Sequence, residues 1–136
     1  MGVLFKNANI TLYNKYYDNV LGYDLYQRTV IEGINWQGKR NATVTDKGLL
    51  IADSILIFID KLDNYISPKQ FAKLSNDERI KYFTLAIGDK IVKGEIDFEI
   101  LGIKPNSIAD LEKKYDDVVN IMSSRKLQQH WEVEGK

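Results

Sequence analysis

The chain has 136 residues, and its 19 basic and 19 acidic side chains give a formal net charge of zero at neutral pH. The length suits one domain, over 1–136, with a proper hydrophobic core. The balanced charge excludes a global basic field that would draw the whole surface onto nucleic acid or an anionic membrane. Because the chain has no cysteine, disulfides and thiolate zinc sites are excluded and a reducing, cytosolic setting is expected.

The first predicted elements are β-strands, because apolar and polar residues alternate along them. One strand is predicted over 8–14 and a longer one over 26–36, in which Gly33 marks a bulge or a bend. The run 53–59 is rich in β-branched and aromatic residues and predicts a buried strand. The apolar stretch around it is too short to span a bilayer and contains Asp53, so no membrane contact is expected.

The segment 37–48, between the second and third strands, is polar and has glycines near its ends. It is predicted to be either a mobile loop or a β-hairpin with 42–45 in one arm. Its tip is locally basic, and we take its cations as candidates for contact with DNA phosphate or with a partner's acidic rim: Lys39, Arg40 and Lys47, against Asp46. An ordinary solvated loop explains the same polarity.

The middle of the chain predicts short helical turns. Ser67 followed by Pro68 is typical of an N-cap and first helical residue, and 76–79 is predicted to be solvated. Aromatic residues make the excursion 61–74 a candidate for docking on a neighbouring protein: Tyr65 and Phe71. A further strand is predicted to begin at 82–85.

Four carboxylates lie within the stretch 85–102, LAIGDKIVKGEIDFEILG: Asp89, Glu95, Asp97 and Glu99. Apolar residues alternate with the last three, which predicts a β-hairpin that turns at Lys93–Gly94. Same-face carboxylates two residues apart in a strand lie about 7 Å apart. The pattern therefore favours a solvated acidic face over a metal or acid/base site.

The last third predicts one helix and one strand. Ser107 and Asp110 resemble a capping box, and apolar residues at helical spacing predict an amphipathic helix over 107–122: Ile108, Leu111, Tyr115, Val118, Val119 and Met122. A closing strand is predicted over 128–133. The predicted fold is mainly β (α+β), a small antiparallel β-barrel over about 8–102 with long inter-strand loops and this C-terminal helix.

Few catalytic options remain. With one histidine, His130, and no cysteine, Cys-His and multi-histidine metal sites are excluded, and no nucleophile elbow, phosphate loop or dinucleotide fingerprint occurs. No catalytic, metal or cofactor residue is predicted. Two other classes stay open: a single-stranded nucleic-acid-binding barrel that uses its tyrosines, and a hydrolase with a pair of carboxylates.

The order of these motifs resembles small head–tail joining proteins of tailed bacteriophages, in an uncharacterised family from prophages of low-GC Gram-positive bacteria. The resemblance covers nearly the whole chain and rests on ITLYNKYYD, RTVIEGINW, ADSILIFI, YISPKQF, GDKIVKGEIDFEI and QHWEV. These motifs belong to the scaffold and include no catalytic signature.

The resemblance implies a virion structural protein of the head–tail connector, with a head-closure (stopper) role. Such a protein forms a homo-oligomeric ring of about twelve copies below the portal, contacts portal or adaptor and tail proteins, and helps to retain the packaged DNA. A tail-terminator or adaptor role remains the alternative. The expected location is the virion, with the host cytoplasm during assembly.

Overall fold

The protein is a closed barrel of six antiparallel strands in the order β1-β2-β3-β6-β5-β4. The computed structural model describes residues 6–45, 48–60, 63–127 and 130–136, and over 39–45 and 48–53 it describes the backbone pairing. The elements are β1 (Ala8–Asp18), β2 (Tyr23–Thr45), β3 (Gly48–Ile59), α1 (Pro68–Ala72), α2 (Asn76–Arg79), β4 (Lys90–Lys93), α3 (Ile108–Lys114), β5 (Val118–Lys126) and β6 (Trp131–Gly135). The small antiparallel barrel predicted from the sequence is confirmed.

The barrel interior is filled by one face of each strand, since successive side chains of a strand point to opposite sides. Its fully buried members include Ile10, Leu12, Ile57, Ile59, Ile91, Ile121 and Val133. A register shift in β1–β2, where Ala8 pairs with Ile34 but Ile10 pairs with Ile31, sets Glu32 and Gly33 against Asn9. Gly33 has φ +71°, a conformation that L side chains rarely adopt, which confirms the predicted bulge.

A second apolar cluster lies on the outer side of β1 and β4, under α3 and the segment 95–100. Its buried members are Tyr13, Val92, Phe98, Ile100 and Leu111. The hydroxyl of Tyr13 donates to the backbone oxygen of Phe98 at 2.6 Å, and desolvation of its buried ring raises the pKa of Tyr13. This cluster fixes the outer segment on the barrel.

The C-terminal helix predicted over 107–122 is wrong in its extent. Ser107 caps α3 through a capping box with Asp110, as predicted, but the helix ends at Lys114 and 118–126 forms β5. Val119 and Ile121 point into the barrel, because β5 closes it between β4 and β6. Apolar residues at these positions fit strand and helix spacing equally, so barrel closure decided the outcome.

The prediction of a strand over 95–100 is also wrong, although the predicted alternation of buried and exposed side chains is right. Phe98 and Ile100 are buried while the three acidic residues between and before them are exposed. Both edges of β4 are already paired, with β1 and with β5, so no edge remains for another strand. The chain turns at Gly94, with φ +100°, and crosses the outer side of β1 instead.

Three shorter predictions have mixed outcomes. The Ser67 cap of α1 is confirmed, with a complete capping box. The strand predicted at 82–85 is reduced to one bridge between Tyr65 and Phe83. The closing strand is β6, which begins at Trp131, and residues 128–129 lie outside the described part. Among the described residues, no helix has the length and apolarity needed to cross a membrane.

Candidate functional site

The β2–β3 hairpin continues past the barrel as a two-stranded arm. β1 pairs with β2 only as far as Ile34, and β6 pairs with β3 only from Ile55. The seven pairs from Lys39↔Ser54 to Thr45↔Gly48 therefore have no third strand among the described residues. At about 3.3 Å per residue, this arm (39–45 with 48–54) is roughly 20 Å long.

The arm decides between the two predictions for the segment after the second strand. The prediction of a hairpin is confirmed and the prediction of a mobile loop is wrong, because the backbone pairing of β2 with β3 continues to Thr45 and Gly48. Lys39 and Arg40 lie at the base of the arm in β2, paired with Ser54 and Asp53. Lys47 lies outside the described residues. Contact of these cations with DNA phosphate stays a prediction.

The opposite end of the β1–β2 ladder forms a compact apolar tip. Asp18 shapes the turn: its Oδ1 accepts from the backbone nitrogens of Val20 and Leu21, and its backbone oxygen accepts from Gly22. Four large apolar or aromatic side chains stand exposed here, of which Val20 at 89% is the most exposed: Tyr17, Val20, Leu21 and Tyr23. Tyr17 and Tyr23 lie on opposite faces of the ladder, so the tip exposes apolar surface on both sides.

Beside this tip lies a pocket of about 320 Å³ with charged side chains in its wall. Its aromatic and apolar lining includes Tyr16, Tyr17 and Phe71, and its charged lining is Lys15, Arg79 and Asp24. Lys15 and Asp24 lie 3.9 Å apart across the β1–β2 ladder. The pocket thus carries two cations against one carboxylate.

Arg79 is buried, with 6% of its surface exposed, and no carboxylate lies within 4.0 Å of it in the described chain. One terminal nitrogen donates to Asn76 Oδ1 at 2.6 Å and the other to the backbone oxygen of Leu74 at 2.7 Å. The guanidinium carbon lies 4.2 Å from the centre of the Tyr16 ring. Its charge is therefore stabilised by hydrogen-bonding dipoles and by the π face of Tyr16.

The neighbouring Asp89 is buried as well, so its predicted place on a solvated face is wrong. Its Oδ2 accepts from Asn14 Nδ2 at 2.7 Å and its Oδ1 from the backbone nitrogen of Lys15 at 3.1 Å. Desolvation raises the pKa of Asp89, against these hydrogen bonds, which lower it. Asn14 also exchanges two hydrogen bonds with the backbone of Thr84. The pair ties β1 to the 84–89 connection.

The other three carboxylates form what we call the acidic face, on the outer side of β1–β2: Glu95, Asp97 and Glu99 with the exposed Leu101 and Ile103. Arg28 anchors it, donating through Nε to Glu99 Oε1 at 2.8 Å and through Nη1 to the backbone oxygen of Ile96. The predicted solvated acidic face is confirmed for these three. Within the described residues, no group of three potential metal ligands is close enough to hold an ion.

The two residues predicted to dock on a neighbouring protein lie inside the fold. Phe71 is 2% exposed, so the docking prediction is wrong for its ring. Tyr65 is half-buried and packs on the core between Trp131, at 4.6 Å between ring centres, and Phe83. His130 stacks edge-on against Phe58 at 5.5 Å.

Sequence reasoning missed the burial of two charged side chains, Arg79 and Asp89. Arg79 stands in the polar run NDER, which was predicted to be solvated, and Asp89 follows a glycine in an apparent turn. Neither stretch has an apolar period that signals burial. Burial arises because α2 and the 84–89 connection cover the open end of the barrel, a contact between residues about 65–75 positions apart.

Residues 5–136 match the model of a family described as a family of unknown function (DUF6751). No curated protein and no solved structure matches the chain.

Proposed function

The chain belongs to the DUF6751 family, and we propose that it is a non-enzymatic structural subunit of a bacteriophage head–tail connector, with head closure as its role. The proposal begins from the resemblance of its motifs to small head–tail joining proteins. In the assembled particle the chain is a ring subunit between the portal or adaptor and the tail, and it has no catalytic centre.

The observation that carries the proposal is the arm. A head-closure ring needs an element on each subunit that reaches from a rigid body toward the channel axis. A barrel supplies the rigid body, and seven strand pairs without a third strand supply an element roughly 20 Å long. Rotation about the ring axis would repeat the arm and narrow the channel.

The sequence of the arm suits reversible contact with DNA. Lys39, Arg40 and Lys47 outnumber Asp46 and Asp53 by one charge. Each phosphate contact adds a modest, salt-dependent term to binding, so a few cations per subunit hold DNA without preventing its release. The neutral charge of the whole chain fits a protein that surrounds DNA without binding it elsewhere.

Two alternatives use the same fold differently. A tail-terminator or adaptor subunit would use the arm as a clasp on a neighbouring protein. A single-stranded nucleic-acid-binding barrel would need a platform of exposed tyrosines. Tyr17 pairs with Asp24 while Tyr23 pairs with Asp18, so the two exposed tyrosines of the tip lie on opposite faces of the ladder. That arrangement disfavours a stacking platform.

The test shortens the arm in the phage that encodes the chain. Removing 41–52 and joining Arg40 to Asp53 with Asn-Gly preserves the Arg40↔Asp53 register and supplies a two-residue hairpin turn. We expect heads that fill with DNA and then lose it before tails attach, seen by electron microscopy and by nuclease sensitivity of the genome. Antibody labelling should find the unaltered chain at the head–tail junction.

A matched control separates the shape of the arm from its charge. The control is a triple variant with Lys39→Glu, Arg40→Glu and Lys47→Glu, which keeps the length of the arm. It should weaken DNA retention while leaving tail attachment unchanged. If particles with the shortened arm join tails and keep their genomes, the arm does not retain the DNA. Particles that lack the chain, or that form normally when its gene is deleted, would overturn the connector role.

A further inference from the structure

We propose that the free edge of β2 over 28–32 binds an extended, basic segment of a partner protein, which adds to the sheet as one more strand. The binding site itself stands on the geometry of the described residues. That its occupant in the particle belongs to a portal, adaptor or tail protein rests on the proposed connector role.

The first half of β2 has a strand on one side only. β1 pairs with β2 as far as Ile34, whereas β3 pairs with it from Asn35 onward and ends at Ile59. Among the described residues, the edge of β2 that faces away from β1 therefore has no partner strand over 23–34. Unpaired N–H and C=O groups along such an edge are the template that strand addition uses.

Hydrogen bonds along β1 show which backbone groups of β2 point to the free edge. The backbone oxygen of Asn9 accepts from Gly94, just past β4. The backbone nitrogen of Lys15 donates to Asp89, just before β4. Odd-numbered residues of β1 thus direct their backbone groups to β4 and even-numbered ones to β2. Val30 lies opposite an odd-numbered residue, so its N–H and C=O groups point away from β1, to the free edge.

A groove of about 340 Å³ runs along this edge. One wall consists of four consecutive residues of β2, 29–32. Because successive side chains of a strand point to opposite sides, the groove follows the edge of β2 and not one of its faces. The other wall consists of 63–64 and 80–83. Gln27 donates to the backbone oxygen of Tyr82 at 2.8 Å, which holds the two walls together without a ligand.

The groove also offers apolar side chains that an added strand would cover. Val30 is 38% exposed, Tyr82 is 37% exposed and Ile80 is 74% exposed. In strand addition the main-chain hydrogen bonds supply affinity, and side chains beside the edge select alternate residues of the ligand. The groove therefore suits a segment in which apolar residues alternate with polar ones.

The charges of the described groove favour a basic ligand. Two carboxylates, Glu32 and Asp63, line it against one ammonium group, Lys81. The adjoining Lys6 and Asp60 form an ion pair at 3.5 Å and add no net charge. A basic side chain of the ligand would be attracted to the two carboxylates, and an acidic one repelled.

The first measurement needs no ligand. Hydrogen exchange followed by NMR on the purified full chain should find that the N–H of Val30 exchanges at least about tenfold faster than that of Thr29, which points to β1. If both are protected in the free chain, the edge is already covered and the proposal is overturned.

The binding probe is the pentapeptide Lys-Val-Lys-Val-Lys with both ends capped, and its acidic counterpart is Glu-Val-Glu-Val-Glu. An NMR titration should shift the signals of 28–32 and 80–83 and slow the exchange of the Val30 N–H. The acidic peptide should bind at least about tenfold more weakly. This pair of probes reports the charge of the whole groove, including any effect of Lys61, which lies outside the described residues. Equal affinities, or no shifts at the groove, would overturn the proposal.

A variant of one backbone group separates strand addition from other modes of binding. Val30→Pro removes the N–H at the free edge and leaves the hydrogen bonds with β1 in place. Val30→Ala is the matched control, because it shortens the side chain and keeps the donor. The basic peptide should bind about tenfold more weakly to the proline variant and more tightly to the alanine variant than to the proline one. Equal affinity for the two variants would exclude strand addition.

Further controls cover folding and other occupants. Circular dichroism checks each variant, and if Val30→Pro does not fold, Glu32→Gln should weaken binding of the basic peptide while Glu112→Gln, at an exposed acid of α3, should not. Dimerisation of the wild type that Val30→Pro abolishes, seen by sedimentation velocity, would assign the edge to a second copy and overturn the proposal. Because the connector role is tested on particles, loss of peptide binding with the chain still at the junction removes this site alone.

Discussion

Asn14 and Asp89 form a buried hydrogen bond of 2.7 Å at the end of the barrel, although 75 positions separate them. Both protons of the Asn14 amide are used, one for Asp89 and one for the backbone oxygen of Thr84. The carboxylate is thus fixed in place but removed from water.

This relationship predicts a pH dependence of stability. Desolvation raises the pKa of Asp89 above its value in the unfolded chain, so the folded state binds the proton more tightly. The contribution of Asp89 to the free energy of unfolding is greatest at a pH below its pKa in the unfolded chain. It is lost as the pH rises through its pKa in the folded chain. Urea unfolding of the wild type and of Asp89→Asn at several pH values should show the wild type losing stability relative to the variant as pH rises. A pH-independent difference would contradict this.

Arg79 is expected to stabilise α2 through its stacking and its backbone hydrogen bond. Arg79→Ala leaves the backbone oxygen of Leu74 without its partner and uncovers the Tyr16 ring, and should lower the free energy of unfolding by about 1–3 kcal/mol. Arg79→Met keeps the volume over the ring and should cost less. Chemical denaturation measures both, and an equal loss for the two variants would show that packing over the ring contributes nothing.

Leu111 is the anchor of α3 on the outer cluster. It is fully buried, so Leu111→Ala should lower the free energy of unfolding by about 2–5 kcal/mol, the range for a buried leucine. Leu101→Ala, at an exposed position, is the control and should change it by less than about 0.5 kcal/mol. A surface-sized effect at Leu111 would mean that α3 is detached from the barrel.

The bulge at Gly33 predicts a further stability effect. An alanine there must hold φ +71° and its Cβ would lie 3.2 Å from Lys6, so Gly33→Ala should cost about 1–2 kcal/mol. Gly38 lies in the same strand without a positive φ, and a Cβ added there would stand in open space. Gly38→Ala should therefore be near neutral in the same denaturation assay, and similar losses at both glycines would argue against the bulge.

Much of the barrel was predictable because its signals are local. Alternation located β1, and a run of β-branched and aromatic residues located the core of β3. The Ser67 and Ser107 caps follow from hydrogen bonds that reach only three residues along the chain. The candidate arm residues were found in the same way, from glycines and polarity. Neither the pairing of the arm nor its length beyond the barrel could be predicted, since both depend on where β1 and β6 stop pairing.

The sequence by itself determined the class of fold, the absence of thiol chemistry and the buried side of β1, because these depend on residue type and on period. Only the tertiary structure decided that 118–126 is a strand and 95–100 is not, since strand pairing requires a free edge and β4 offers its edges to β1 and β5. It also decided that Arg79 and Asp89 are buried. Burial of a charge depends on partners brought from distant positions, Tyr16 and Asn14, which no local pattern encodes.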